Sequence, residues 1–247
     1  MIENLKILNI NNLKNVDFSD IRDFCRDRIA KKKGAFLVAL NPFKIIKARS
    51  DSEFQRILDN ADWVFPEAWG VKWAASVLLN KNISVLPGYK VMFSLLDQAH
   101  SEDYSVYLLG TTNGILRIAI KQLQKMHPGL RIVGSHNGFY SRFREDSIIK
   151  EIEKSEPNFV FVAMGAYRQE KVIEKLISNY PSGIFMGVGG SFDLIANKQP
   201  EPPEWIRSNH LEWLFRLYKE PFRIRRYHVL PKLVFLVFFE KIKSFIN

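Results

Sequence analysis

The sequence predicts an α/β protein: a mostly parallel sheet with helices on both faces. Three observations carry this. Short, wholly apolar runs recur, among them AFLVAL at 35–40, FVFVA at 159–163 and IFMGV at 184–188. A strand covered on both faces reads as such a run. Segments with apolar residues at helical spacing alternate with these runs, and consecutive parallel strands need crossovers of that kind. Glycine or proline stands at one strand end after another, as at Pro42, Gly110, Gly165 and Gly189-Gly190. Such residues stop strands and form turns.

In chain order, 2–10 reads as an initial strand and 18–31 as a helix starting near Ser19-Asp20. AFLVAL is a buried strand ending at Asn41-Pro42, and the helix from Phe43 turns Ile45, Ile46 and Ala48 inward. A helix at 52–60 precedes the strand ADWVFP, and Glu67-Ala68-Trp69-Gly70 follows at its end. Helices at 71–79 and 89–100 flank the loop Leu86-Pro87-Gly88. A strand at 104–110 closes on Gly110, and an amphipathic helix at 115–126 leads to a strand at 130–134 and a turn at 135–138. No element is assigned between that turn and Pro157. A strand at 159–163, a helix at 167–180 with Val172, Ile173, Leu176 and Ile177 inward, and a strand at 184–188 complete a Rossmann-like core. The expected division is a core at 1–197 and a C-terminal basic, aromatic helical appendage at 198–247.

The stretch 157–193, PNFVFVAMGAYRQEKVIEKLISNYPSGIFMGVGGSFD, organises the chain. In open parallel sheets ligands bind beyond the carboxyl ends of the strands. Gly165 and Gly189-Gly190 fall at two such ends, where backbone N–H groups could face a phosphate. The plainer role of such glycines is a turn with positive φ. The phosphate loop GxxxxGK[ST] and the dinucleotide fingerprint GxGxxG are absent from the sequence, which argues against an ordinary ATPase or NAD enzyme.

At 247 residues the chain is long enough to bury a full core. Its one cysteine, Cys25, excludes an internal disulfide and reads as a buried helix residue. The net charge of +10 calls for an anionic partner: nucleic acid, a membrane surface or a phosphorylated substrate. The N-terminus does not read as a signal peptide, and no apolar run reaches the roughly 20 residues that span a bilayer. The five histidines show no metal-ligand spacing, and no Asp-x-Asp is present to hold a nucleotide's Mg²⁺.

Several stretches resemble the WecG/TagA/CpsF family of bacterial glycosyltransferases. VAMGAYRQE resembles that family's V-A-x-G-S-P-K-Q-E, MGVGGSFDLIAN its G-V-G-G-x-[FY]-D, and LEWLFRLYKEPFRIRRY its L-E-W-x-x-R-L-x-x-x-P-x-R. VYLLGTTNGI, RIVGSHNGFY and LNPFKIIKAR extend the likeness upstream over nearly the whole chain. The resemblance implies an inverting transfer of an N-acetylmannosamine-type sugar from a UDP-sugar to a polyprenyl-diphosphate-linked acceptor sugar. It also implies a metal-independent reaction without a cofactor. The protein is then expected in the cytoplasm, peripheral on the inner face of the cell membrane, building surface polysaccharide or teichoic acid.

The same resemblance suggests roles for residues. Glu67 stands where the family has the Asp of an Asp-Gly pair, its proposed general base, and Asn41 matches the Asn of a Thr-x-Asn segment. Gly110, Asn113, Gly165, Gln169, Glu170, Gly189, Gly190 and Asp193 are expected on the nucleotide-sugar. Arg216, Arg223, Arg225 and Arg226 are expected at the acceptor diphosphate and membrane. The chain departs from the pattern at Ala39, Ala68, Lys90, Asn137 and Glu201, and Ala166-Tyr167-Arg168 replaces Ser-Pro-Lys. These substrate-side changes mean either a changed substrate or an impaired activity; a changed substrate is favoured, because a carboxylate survives at position 67 and the Gln-Glu and Gly-Gly-x-x-Asp elements are intact.

Two other readings compete. The basic balance also suits a nucleic-acid-binding protein, although no nucleic-acid motif appears and the charge concentrates beside an apolar run. A non-catalytic family member that binds lipid intermediates is the other. Within LVFLVFFEKIKSFI, the run 233–239 is apolar on nearly all sides, which points to membrane contact and to a segment, 231–247, removable without unfolding. Its alternative role is packing on the domain or forming a homo-oligomer interface.

Overall fold

The computed structural model describes residues 4–196, 203–208, 214–215, 218 and 228–246. Eight strands form one sheet in the order β1-β2-β4-β3-β8-β7-β5-β6. They are β1 Asn4–Ile7, β2 Ile10–Lys14, β3 Ala35–Leu40, β4 Trp63–Pro66, β5 Val106–Gly110, β6 Ile132–His136, β7 Phe159–Ala163 and β8 Ile184–Gly187. Every pairing is parallel except β1 with β2.

The apolar runs work because alternate residues of one strand enter different cores. In β3, Phe36, Val38 and Leu40 join one core, while Ala35, Leu37 and Ala39 join the other. In β7, Val160 and Val162 face opposite to Phe159, Phe161 and Ala163. The first face carries α2 (Pro42–Ser50), α3 (Ser52–Asp59), α4 (Trp69–Leu79), α7 (Arg142–Ser155) and α8 (Arg168–Asn179). The second carries α1 (Phe18–Ala30), α5 (Gly88–Ser101), α6 (Asn113–Met126) and the short α9 (Ser191–Ile195). Cys25 is fully buried in α1, and that burial pushes its thiol well above the ordinary range.

Three expectations are corrected. The initial strand is a hairpin: β1 turns at Leu8, whose φ is 52°, and returns as β2. The strand expected at 130–134 runs instead through Ser135 and His136, which pair with Leu108 and Leu109. The unassigned stretch after Gly138 contains α7, whose deeply buried side chains among those described are Ile148, Ile149 and Ile152.

Of the segment expected as a helix at 205–218, the structure describes α10 (Glu204–Ser208) and little more. Glu201, Arg216, Arg223, Arg225 and Arg226 lie outside the described residues. The C-terminal run is helix α11 (Val229–Ile246), packed against α2 and α4. Val229, Leu233 and Val237, four residues apart, form its buried stripe. Val234, Phe235, Phe238, Phe239 and Ile242 remain exposed on it, although Phe238 also meets Trp73 edge-on. Of the roles foreseen for this run, packing on the domain is the one its contact with α2 and α4 supplies. Removing it would uncover core, so a truncation without loss of stability is not expected. No helix among the described residues is long and apolar enough to cross a membrane.

Candidate active site

The sheet order arranges the site along one edge. At the carboxyl ends of β4, β3, β8, β7, β5 and β6 stand Glu67, Asn41, Gly189-Gly190, Gly165, Gly110 and Gly138 in that order. Strands lie about 4.8 Å apart, so five spacings from β4 to β6 give a rim of roughly 24 Å. Residues from both ends of the sequence thus become neighbours.

At one end of the rim, Asn41 caps α2, its Oδ1 accepting the Lys44 N–H at 3.1 Å. Its Nδ2 donates to Glu67 Oε2 at 2.9 Å. The carboxylate is thus oriented through one oxygen, while Oε1 lies against Gly88 at the start of α5. A β-carbon on Gly88 would stand 2.8 Å from Oε1, so glycine there makes the room. Ala39 borders the same spot and supplies no hydroxyl. Lys90 is exposed in the first turn of α5.

In the middle of the rim, Gln169 and Glu170 are buried rather than open to a ligand. Gln169 Oε1 accepts the Gly189 N–H at 3.0 Å, so that donor is already taken within the protein. Gly189 has φ 55°, whereas Gly190 has φ −86°, and neither would crowd protein atoms with an added β-carbon. The space over that turn is open. Asp193 follows in the first turn of α9.

Toward the far end, Gly110 has φ 134°, and a β-carbon there would run into the Ala163 carbonyl. The fold alone requires that glycine. Asn113 opens α6 and is exposed, next to the cap Thr112. Asn137 Oδ1 accepts the Phe139 N–H at 2.9 Å and shapes the β6 turn. Tyr140 stands over Met164, with the Arg168 guanidinium 5.5 Å from its ring. Burial pushes the Tyr140 phenol up to about 12.

One participant escaped the sequence reading. Lys44 Nζ pairs with Glu170 Oε1 at 2.8 Å, and the two side chains are only 3% and 1% exposed. The signal was present in the sequence: Asn41, Lys44, Ile45 and Ala48 share one helical face, so a lysine sits within a buried stripe.

The model of the glycosyl transferase WecG/TagA/CpsF family matches residues 5–246. The chain belongs to that family. It is similar to N-acetylglucosaminyldiphosphoundecaprenol N-acetyl-beta-D-mannosaminyltransferases from three bacteria. That of Bacillus spizizenii is 32% identical over 204 residues, 83% of this chain and 79% of the relative. That of Bacillus subtilis is 27% identical over 240 residues, 97% and 91% of the two chains. That of Staphylococcus aureus is 28% identical over 196 residues, 79% and 76%.

The protein is thus a glycosyltransferase of the hexosyl-transferring kind. Its turn after β7 has a backbone of its own. Tyr167 has φ 78°, which the ring of the proline expected there cannot adopt. Across the turn, the Tyr167 N–H donates to Glu170 Oε2 at 2.5 Å. Lys47 and Lys171 each lie 4.5 Å from the Tyr167 ring. No cluster of three or more His, Cys, Asp or Glu suited to a metal occurs among the described residues.

Proposed function

We propose that this glycosyltransferase moves an N-acetylmannosamine-type sugar from UDP to a sugar on a polyprenyl diphosphate, with inversion. The observation that carries the reading is the Asn41–Glu67 pair at the ends of β3 and β4, with one carboxylate oxygen held by an amide and the other beside Gly88. Glu67 Oε1 takes the proton of the acceptor hydroxyl as its oxygen attacks the donor's anomeric carbon. The bond from that carbon to the diphosphate breaks, and UDP leaves with the electron pair. The open turn at Gly189-Gly190 receives the diphosphate, and Asp193, Gly165 and Asn113 lie farther along the donor. The names of the three relatives support the mannosaminyl group and the lipid-linked GlcNAc acceptor.

The reaction is read as independent of a metal, with backbone N–H groups and basic side chains facing the leaving charge. Membrane attachment is read from α11. Its exposed Phe235, Phe239 and Ile242 enter the acyl boundary, while Lys232 meets lipid phosphates. Leu233 of that helix lies by Gly70, close after Glu67 in the chain, so the lipid surface and the base are brought together.

A screen of UDP-sugars for UDP release, with a short-chain GlcNAc-diphosphate lipid as acceptor, tests the reading. UDP-N-acetylmannosamine should release UDP only when acceptor is present, and chelation should leave the rate unchanged. No acceptor-dependent release from any UDP-sugar would overturn the function.

A further inference from the structure

The buried ion pair beneath the rim is not explained by stability. Taking an ammonium and a carboxylate out of water is costly, and apolar pairs of similar volume are often as stable or more so. Here both groups are almost wholly enclosed. Lys44 Nζ also donates to the Ala39 carbonyl at 2.8 Å, at the end of β3. Glu170 accepts from Lys44, from Gln169 Nε2 at 2.8 Å and from the Tyr167 N–H.

The pair lies in the middle of a continuous chain of contacts. Glu67 is held by Asn41, and Asn41 is held by the first turn of α2, which carries Lys44. Lys44 holds Glu170, Glu170 holds the Gln169 amide, and Gln169 holds the Gly189 N–H. The amide lies across Gly187, where any β-carbon would collide with it. Four strand ends, those of β4, β3, β7 and β8, are tied by this one path.

We infer that Lys44 is a positioning residue for the transfer, setting the Asn41–Glu67 pair in register with the Gly189-Gly190 turn. The inference rests on the reading of Glu67 as the base and of the turn as the donor site. Its charge-assisted bonds fix direction, which apolar packing at the same place would not do. A displacement of about 1 Å between base and donor is enough to cost on the order of 100-fold in turnover.

The test uses the full chain and two variants. Lys44→Met with Glu170→Leu removes both charges and keeps the volume, and Glu170→Gln keeps the shape and removes one charge. Melting temperature, kcat and KM for donor and acceptor, and hydrogen exchange of the Gly189 amide are measured for each. In whichever variant melts close to the parent, kcat should fall about 100-fold and the Gly189 amide should exchange at least about tenfold faster. Amides within β3 and β8 should exchange as before. A variant with parental melting, parental kcat and parental Gly189 exchange overturns the inference. If the parent itself transfers no sugar, the proposed function fails, and Gly189 exchange alone then decides the positioning role.

Discussion

Helix α11 has two faces with opposite consequences, and a pair of substitutions separates them. Leu233 is 1% exposed and lies against α4, where a β-carbon on Gly70 would stand 3.5 Å from its Cδ2. Leu233→Ala removes three carbon groups at about 0.8 kcal/mol each, roughly 2.4 kcal/mol of transfer free energy. The cavity left between α11, α2 and α4 raises the cost to about 3 kcal/mol. With a urea slope of about 2–3 kcal/mol per M, the unfolding midpoint should drop by about 1 M. Phe239, 53% exposed on the other face, touches little of the core. Phe239→Ser should therefore shift stability by no more than about 0.5 kcal/mol. On vesicles containing anionic lipid the order reverses: Phe235→Ser with Phe239→Ser should weaken binding at least about tenfold, and Leu233→Ala should change it little. An unchanged urea midpoint in Leu233→Ala would refute the packing of this helix. Parental vesicle binding by the double serine variant would refute its lipid face.

Three more outcomes follow from the site and its surroundings. Glu67→Gln should bind UDP as the parent does, by calorimetry, while turnover falls on the order of 10²–10⁴-fold; near-parental turnover would remove Glu67 as base. Gly190→Val should stay folded, because its φ of −86° suits any residue and its β-carbon meets open space, yet lose UDP binding. Gly110→Val should instead fail to fold well, since its β-carbon meets the Ala163 carbonyl, and circular dichroism with calorimetry tells the two apart. Asp51 caps α3, and its hydrogen bonds from Lys47 and then from the Phe54 N–H lower its carboxyl from 3.8 to about 2. The lowered value means that the carboxylate stabilises the fold above the unfolded value and loses that effect as pH falls through about 2. The destabilisation by Asp51→Ala in urea titrations should accordingly be full at neutral pH and fade between those two values.

Most of the architecture was legible because a parallel sheet buried on both sides writes each strand as an apolar run, as in AFLVAL. The strand-end positions of Asn41 and Glu67 were legible too, since both follow such runs directly, whereas the hydrogen bond between them was not. Helix α7 was not: RFREDSIIKEIEKS is mostly charged and turns only three isoleucines to the core. The end of β6 was hidden because pairing with the neighbouring β5, rather than any propensity of Ser135 and His136, keeps them extended. The Lys44–Glu170 contact joins residues far apart in sequence, and local periodicity carries no record of such a partner. That Gln169 faces inward to Gly189 has the same cause.

The placement of β3 between β4 and β8 has a consequence for how the chain is made. Residues Ala35, Phe36 and Leu37 pair with Ile184, Phe185 and Met186, which leave the ribosome much later. Until then β3 offers an unpaired, wholly apolar border, the kind of surface on which nascent chains join one another. The contacts that close this border are of long sequence separation, so their loop-closure cost falls late in folding. Chaperone demand during synthesis should therefore peak before residue 184 emerges and fall once β8 has docked.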